Sequence, residues 1–388
     1  MTEKLYYSDS HLFQFEAAVL RCSPAEKRPG QYAAVLDKTA FFPEGGGQLA
    51  DTGHIGGIRV LDVKEIQGEI VHYTDGDLSG LIGSTVCCEV DSEQRLRRMQ
   101  NHSGEHVVSG LVHQTFGFDN VGFHMGTDCM TIDFNGELTW EQLEEVERKA
   151  NETIRANIPV LTSFPEKEEL KNIMYRSKLD LTDNVRLVEI KGIDVCACCA
   201  PHVSYTGEIG IVKILSSERH RGGIRIELVC GMDALDDFRL RQKSVTRISN
   251  MTSAKRNDVA DAVEKLQAER DLLRFRCSEL EIKLVSVMAE QYEETEGNIV
   301  AFSDLSEDAC RELVNKLVSK CSGIAAVFFG TGDNGYRYIM GSRTKDLRAE
   351  AKTINAVISG KGGGKPEMIM GSCQADKSVI ESWFIGNR

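Results

Sequence analysis

The chain has 388 residues, of which 41% are hydrophobic and 27% charged, and its formal net charge at pH 7 is −13. The length predicts two or three domains, and the acidic charge argues against a surface coated for nucleic acid, although a local basic patch stays open. No run approaches the ~18 apolar residues that span a bilayer, and the first residues lack the apolar core of a secretory signal. Twelve cysteines without such a signal predict reduced thiols and a cytoplasmic protein.

Residues 1–92 are predicted to form a small β-barrel, because short β-branched and aromatic runs alternate with glycine turns. One connection in this region, "FFPEGGGQLADTG", contains the consecutive glycines Gly45, Gly46 and Gly47. Such a run either lets the backbone approach a ligand closely or is a flexible turn between strands. It is not a P-loop, because no G-K-[ST] follows it.

Residues 93–250 are predicted to form an α+β domain. A long helix should end before Gly117, and a second helix should begin after Thr139, a favoured N-cap residue. Residues 124–134 are predicted to form a single strand between these helices. Residues 207–231 are predicted to form two strands joined by a charged loop.

Two pairs of potential metal ligands lie in this α+β domain. His102 and His106 occur in "NHSGEH", and Cys198 and His202 occur in "CCAPH". Side chains four residues apart lie on one face of a helix, and imidazole with thiolate is a donor set that suits tetrahedral Zn²⁺. The alternative is a buried, hydrogen-bonded histidine pair. The neighbouring "CACC" lacks the second cysteine pair of a zinc knuckle, so we predict a mixed site built from all four residues.

Residues 251–297 are predicted to form coiled-coil helices. The segment from 253 to 294 contains neither glycine nor proline, and one row of apolar residues repeats every seven positions. That row consists of Val259, Leu266, Leu273, Leu280 and Val287. The pattern predicts a helical hairpin or the seam of a homodimer. The alternative is one long helix packed on its own domain.

Residues 298–388 are predicted to form an α/β domain with a small doubly wound or mixed sheet. Its motif "GKGGGKPEM" combines backbone amides with Lys361 and Lys365, which suits a phosphate or a nucleic-acid backbone. An ordinary loop is the alternative for this motif. A second group of candidate phosphate contacts is Arg219, Arg221 and Arg225.

Four motifs, taken together and in this order, resemble those of the AlaX family of alanyl-tRNA editing proteins in its long form. They are "DKTAFFPEGGGQLADTG", "NHSGEH", "CCAPH" followed by "TGEIGIVKI", and "GGGKPEMIMG". They also resemble the editing and C-terminal domains of alanyl-tRNA synthetase. The resemblance covers nearly the whole chain. It implies an editing (deacylase) domain at 93–250, which removes serine or glycine from mischarged tRNA(Ala) without using ATP.

The resemblance also implies roles for particular residues. The positions of the family's zinc ligands correspond to His102, His106, Cys198 and His202 in this sequence. Thr39 is placed to recognise the serine hydroxyl, and Gln48 lines the same pocket with the amides of Gly45, Gly46 and Gly47. The family's cysteine motif is commonly C-G-G-T-H, whereas Pro201 here removes one backbone donor.

Three further expectations follow. The basic candidates for contact with tRNA are Arg219, Arg221, Arg225, Lys361 and Lys365. A homodimer is expected through the coiled coil or the C-terminal domain, with no membrane partner. Two other functions stay open: a tRNA-binding protein with structural zinc, and a zinc-dependent hydrolase of small molecules.

Overall fold

A computed structural model of the chain describes residues 2–177, 184–330 and 335–386. The chain divides into two compact units, Met1–Ser244 and Val245–Arg388. Helices and strands are mixed in both units, which confirms the predicted α+β class. Across the described ranges, none of the helices combines the length and the apolar character needed to cross a membrane. The finer division into four domains stays a prediction.

The first unit begins with a group of strands that closes on itself. These strands are β1 (Glu3–Lys4), β2 (Gln14–Pro24), β3 (Tyr32–Leu36), β4 (Lys38–Thr39), β5 (Gly53–Ile55), β6 (Ile58–Ile66), β7 (Glu69–Thr74) and β8 (Thr85–Val90). A closed barrel runs in the order β2-β3-β7-β6-β5-β8, while β1 and β4 pair in parallel beside it. Alternate residues of β8 are buried, so side chains fill the barrel interior. The glycine-rich connection joins β4 to β5.

The rest of the first unit packs two sheets against two helices. Its elements are α1 (Ser92–Phe116), β9 (Asn120–Met125), β10 (Met130–Phe134), α2 (Trp140–Arg155), β11 (Val160–Ser163), α3 (Lys167–Leu170), β12 (Leu187–Ile190), β13 (Asp194–Ala197), β14 (Val212–His220) and β15 (Gly223–Cys230). The sheets run β14-β15-β10-β9 and β11-β12-β13. As predicted, α1 ends at Gly117 with a left-handed φ of 72°, and Thr139 caps α2.

Two predictions in this region are wrong in detail. The single strand predicted over residues 124–134 is interrupted, because the backbone turns where the Gly126 N–H donates to the Cys129 carbonyl at 3.0 Å. The charged loop predicted between β14 and β15 is a two-residue turn. Its residues Arg221 and Gly222 have φ values of 46° and 83°, which continue the strand twist. Because the turn contains only these two residues, most of the charges lie on β14 itself.

Two long helices follow, α4 (Gly231–Thr252) and α5 (Val259–Glu290). The heptad row of α5 faces outward, with Leu266, Leu273 and Leu280 each more than half exposed. Val285 and Ala289 on the opposite side of α5 are buried in the core of the second unit. The long helix is therefore present, and its association into a coiled coil stays a prediction.

The second unit is built on one mixed sheet. Its remaining elements are β16 (Ile299–Ser303), α6 (Glu307–Leu317), β17 (Ala325–Phe329), β18 (Tyr336–Gly341), α7 (Leu347–Val357), β19 (Gly360–Lys365), β20 (Met368–Cys373) and α8 (Lys377–Gly386). The sheet runs β16-β17-β18-β20-β19, with β16 and β17 parallel and the other neighbours antiparallel. It is therefore mixed rather than doubly wound. Successive residues of β17 face opposite cores, which places helices on both faces of the sheet.

The second glycine motif is an edge strand, so the alternative of an ordinary loop is wrong there, and its role in phosphate binding stays a prediction. Strand β19 carries this run, and its alternation places Gly363 on the same face as Lys361 and Lys365. A Cβ at Gly362 would overlap the Tyr338 hydroxyl, whereas a Cβ at Gly363 would meet nothing within 4 Å. Packing of Tyr338 from β18 therefore requires one glycine of the run, and that requirement is invisible in the local sequence.

We expect Gly362→Ala to destabilise the second unit by about 1–3 kcal/mol, because the added methyl group has no room. The matched change Gly363→Ala should leave stability within about 0.5 kcal/mol, since it adds a methyl group in open space. Chemical denaturation of the full chain, followed by circular dichroism, measures both. Equal effects of the two changes would contradict the packing explanation.

Candidate functional site

The two predicted ligand pairs meet in the first unit. Helix α1 presents His102 and His106 one turn apart, and the segment after β13 carries Cys198 and His202. One donor atom from each of these four residues lies within 4.8 Å of the others. The Cys198 Sγ lies 3.3 Å from His202 Nε2 and 3.5 Å from His102 Nε2. Tetrahedral Zn²⁺ bonds of about 2.3 Å to sulfur and 2.0–2.1 Å to nitrogen separate S and N by about 3.5 Å, so the donors fit this ion.

Each histidine of the cluster is oriented by a second hydrogen bond. In all three rings Nδ1 has a partner, which leaves Nε2 facing the shared space, as is usual for zinc ligands. The pairs are His102 Nδ1 with Gln48 Oε1 at 2.9 Å, His106 Nδ1 with Asp194 Oδ2 at 3.1 Å, and His202 Nδ1 with Ser103 Oγ at 3.0 Å. The cluster therefore has the oriented imidazoles that a metal site requires.

The charges of the cluster also suit a metal. Burial raises the pKa of Cys198, but the adjacent imidazoles of His102 and His202 outweigh burial and hold this pKa well below its usual value. Burial lowers the pKa of His202 to about 3, so its ring is neutral. Burial opposes protonation of His106, but its hydrogen bond to Asp194 raises the pKa well above the usual value. Zn²⁺ binds a thiolate and neutral imidazoles. Cys198 and His202 are therefore in the forms that bind the ion, whereas His106 must release its proton when the ion binds.

Two carboxylates beside the cluster were missed by the sequence analysis. Asp194 bridges the cluster to Arg176, which donates from Nε and Nη2 at 2.7 Å each. Glu105 is buried next to His106, with its Oε2 3.7 Å from His106 Nε2. Both acids lie next to predicted ligands in the sequence, in "NHSGEH" and "GIDVCACC". That proximity is the signal that could have indicated them.

The first glycine motif lies against the cluster. Gly45 and Gln48 close a tight turn with reciprocal backbone hydrogen bonds of 3.1 and 3.0 Å. A Cβ at Gly46 would lie 3.4 Å from Cys199 Sγ, and a Cβ at Gly47 would lie 2.5 Å from the Phe123 ring. Because Gly46 and Gly47 also have left-handed φ values of 60° and 84°, the turn requires glycine. The structure thus brings this motif to the cluster of three histidines and Cys198.

Gln48 and Thr39 differ in their surroundings, although both are fully buried. Besides its bond to His102, the Gln48 amide has an Nε2 without a hydrogen-bond partner among the described residues. Thr39 Oγ1 lies 2.9 Å from His72 Nε2 and accepts from the Phe41 N–H at 3.1 Å. Burial lowers the pKa of His72 to about 4, so this neutral ring can accept the Thr39 proton. The Thr39 hydroxyl is therefore already engaged inside the barrel.

A cleft of about 1570 Å³ opens beside the cluster. Predicted site residues that line it are Gly46, Gly47, His102, His106 and Cys198. Thr39 and Gln48 lie behind this surface rather than on it. Ligand sites for small molecules measure about 300–1,000 Å³, so the cleft is large enough for a ligand bigger than one amino acid.

None of the predicted tRNA contacts lines this cleft. The β14–β15 hairpin groups the three arginines, and Lys361 and Lys365 are exposed on β19 of the second unit. Arg225 is held by Asp133 through two bonds of 2.6 and 2.8 Å. Arg219 and Arg221 are exposed, which makes them better candidates for a phosphate contact than Arg225.

A buried ion pair fixes α1 to the glycine-rich connection. Arg95 and Asp51 are completely buried, with Arg95 Nε 2.9 and 3.0 Å from the two carboxylate oxygens. Arg95 also donates to the carbonyls of Ser10 and Ala40 at 3.0 and 2.6 Å. Asp51 accepts in turn from the Phe42 N–H at 2.6 Å. Both ends of the connection are thereby tied to the helix that carries the histidines.

Comparison with known proteins identifies two domain families in the chain. Residues 185–227, which contain Cys198 and His202, match the "Threonyl and Alanyl tRNA synthetase second additional domain". Residues 285–381 match the "DHHA1 domain".

Whole proteins that are similar to this chain also belong to the alanyl-tRNA editing proteins and alanyl-tRNA synthetases. The alanyl-tRNA editing protein AlaX-L of Pyrococcus horikoshii is 34% identical over 245 residues, which cover 61% of this chain and 59% of that protein. The alanine–tRNA ligase of Ignicoccus hospitalis is 29% identical over 394 residues, which cover 98% of this chain and 42% of the ligase. The chain thus spans less than two thirds of either relative. These matches confirm the resemblance to AlaX editing proteins and to the corresponding part of alanyl-tRNA synthetase.

Among solved structures, the C-Ala domain of Aquifex aeolicus alanyl-tRNA synthetase matches 24% of this chain and 96% of its own length. The identity is 17% and the TM-score 0.21, so this likeness carries no argument.

Proposed function

We propose that the chain hydrolyses the ester bond of tRNA(Ala) mischarged with serine, as a separate editing enzyme acting in the cytoplasm. Gly-tRNA(Ala) is the second candidate substrate. The observation that carries the proposal is the buried cluster of three imidazoles and one thiolate beside a glycine turn, in a cleft that exceeds the size of an amino acid. The similarity to AlaX-L supports an editing role.

His102, His106, Cys198 and His202 would hold one Zn²⁺ in this enzyme. The ion would supply polarisation of the ester carbonyl or an anchor for the substrate's amine. The glycine turn offers backbone amides beside it, and Asp194 and Ser103 keep two of the imidazoles in place. The ester is labile by itself, so selection of the correct substrate is the more demanding task.

To select serine over alanine, the site needs a buried polar group whose hydrogen bond is completed by the serine hydroxyl. Alanine has no hydroxyl and would leave that group unpaired, so the site rejects it. Gln48 Nε2 is a buried donor without a partner among the described residues, and it sits on the side chain that contacts His102. Thr39, the residue suggested by the resemblance, has its hydroxyl bonded to His72. Because Gln48 and Thr39 both lie behind the cleft surface, Gln48 would act on the site through His102, which lines the cleft, and Thr39 would act through the barrel.

We expect Thr39→Val to slow Ser-tRNA(Ala) hydrolysis about 10-fold, because His72 and the Phe41 amide lose a hydrogen-bond partner near the pocket. The matched control is Thr85→Val on the exposed face of β8. Rates under single-turnover conditions measure both variants. A wild-type rate in Thr39→Val would remove this residue from the site.

Hydrolysis of Ser-tRNA(Ala) above the spontaneous rate is the direct test of the proposed reaction. A tRNA-binding protein with structural zinc would retain tRNA on a filter without releasing serine. A zinc-dependent hydrolase of small molecules would cleave simple esters or phosphates and leave Ser-tRNA(Ala) intact. Either outcome would overturn the proposed function.

We also propose that the chain is a homodimer, since the heptad row of α5 leaves large apolar side chains uncovered. Light scattering at micromolar concentration should give twice the mass of the chain. A monomer would reject the dimer and favour a helical hairpin within the chain.

A further inference from the structure

One wall of the cleft is aromatic. Tyr7 and Phe164 both line it, with ring centroids 5.5 Å apart at an interplanar angle of 67°. Phe164 is 53% exposed, and it follows the last residue of β11 rather than packing in a core cluster. A large aromatic ring that faces a cleft instead of the interior indicates a surface kept for a partner.

The same wall carries a buried cation. The Arg186 guanidinium lies 5.3 Å from the centroid of the Tyr7 ring, and Arg186 is only 6% exposed. Its Nη1 donates to the carbonyls of Cys198 and Ala200 at 2.9 and 2.8 Å, while its Nε has no partner in the described part of the chain. In the described part of the chain, the hydrogen bonds of Arg186 go to these neutral carbonyls rather than to a carboxylate. The wall thus combines aromatic rings with a positive charge, which suits an aromatic anion.

The aromatic wall begins at the metal cluster itself. Arg186 contacts the carbonyl of Cys198, which is one of the four cluster residues, and Tyr7 packs with Cys198 in the same small apolar cluster. In the proposed reaction the aminoacyl ester sits at the metal cluster, and its ribose carries the 3′-terminal base. That base must therefore lie within one nucleotide of the cluster. Tyr7 is linked to the cluster through Arg186, whose guanidinium lies 5.3 Å from the Tyr7 ring, and Phe164 lies 5.5 Å beyond Tyr7.

We propose that Phe164, packed edge-to-face against Tyr7, forms a stacking platform for the unpaired 3′-terminal base of the RNA substrate, with Arg186 facing the charge of the nucleotide. This inference rests on the proposed function for the position of the ester. Aromatic side chains bind single-stranded RNA in this way because every base offers a π face. The platform accounts for a cleft much larger than a seryl group.

The test uses the full chain and two labelled RNA trinucleotides, CCA and the same molecule without its 3′-terminal base. Phe164→Ala should weaken CCA binding by about 10-fold or more, measured by fluorescence anisotropy. Trp140→Ala is the matched control, because Trp140 is 40% exposed on α2 and does not line the cleft. It should bind CCA like the wild type, and Phe164→Tyr should keep the affinity because it keeps the ring.

Combining the variant with the missing base isolates the stacking contact. Loss of the base should weaken binding to the wild type and cost nothing further in Phe164→Ala, because the two changes remove the same interaction. Additive losses would overturn the platform, as would wild-type CCA affinity in Phe164→Ala or no CCA binding by the wild-type chain. A wild-type chain that binds CCA through Phe164 but leaves Ser-tRNA(Ala) intact would instead overturn the proposed function and keep the platform.

Discussion

Replacing His106 with alanine should lower both the affinity for zinc and the rate of Ser-tRNA(Ala) deacylation, each by more than about 100-fold. His106 contributes one of four clustered donors, and its ring is held by Asp194 at 3.1 Å. Its removal leaves three donors and an opening in a buried site. Substitution of partners outside the donor set typically costs 10–100-fold in metal affinity, so loss of a donor should exceed that range.

The measurement combines elemental analysis of zinc with single-turnover rates on the same preparation. His124→Ala is the matched control, because His124 lies exposed on β9 and outside the cleft. Both variants should still bind tRNA, since His106 lies at the base of the cleft rather than in a basic patch. Normal deacylation by His106→Ala would contradict the assignment of the site.

Replacing Arg95 with methionine should destabilise the first unit by about 3–5 kcal/mol, because the buried Asp51 would lose its hydrogen-bonded cation and keep only the more distant Arg98, whose Nη1 lies 3.8 Å away. The carbonyls of Ser10 and Ala40 would lose their donor as well. Denaturation by guanidinium chloride, monitored by circular dichroism, measures the change. Arg148→Met on the exposed face of α2 removes a similar side chain from surface ion pairs, and its midpoint should match the wild type.

An unchanged midpoint for Arg95→Met would show that the pair contributes nothing to stability and does not fix α1 to the glycine-rich connection. A folded but weakened variant should bind less zinc, because that connection carries Gln48, the partner of His102. Zinc content therefore serves as a second readout of the same contact.

Features set by neighbouring residues could be predicted from the sequence. The end of α1 at Gly117 depends on a left-handed residue, and the start of α2 depends on the Thr139 side chain, so both are local. The spacing of His102 and His106 likewise places them on one helical face. Because Cys198 and His202 have a similar spacing, a common site could be predicted without a knowledge of the fold.

Features set by distant contacts could not be predicted in this way. For the GGG run of β19 the sequence left an ordinary loop open as the alternative, but the run is a strand whose Gly362 accommodates Tyr338 from β18. The bond between Thr39 and His72 depends on the pairing of β3 with β7 in the barrel. Asp194 orients His106 across 88 residues, a relation that exists only after folding.

The most direct measurement is the deacylation of Ser-tRNA(Ala) and Ala-tRNA(Ala) side by side under single-turnover conditions, with zinc determined on the same sample. Rapid loss of serine, with alanine spared, by a chain that carries about one Zn²⁺ is the predicted result. A chain that binds zinc yet releases neither amino acid would contradict the editing function and assign the metal a structural role.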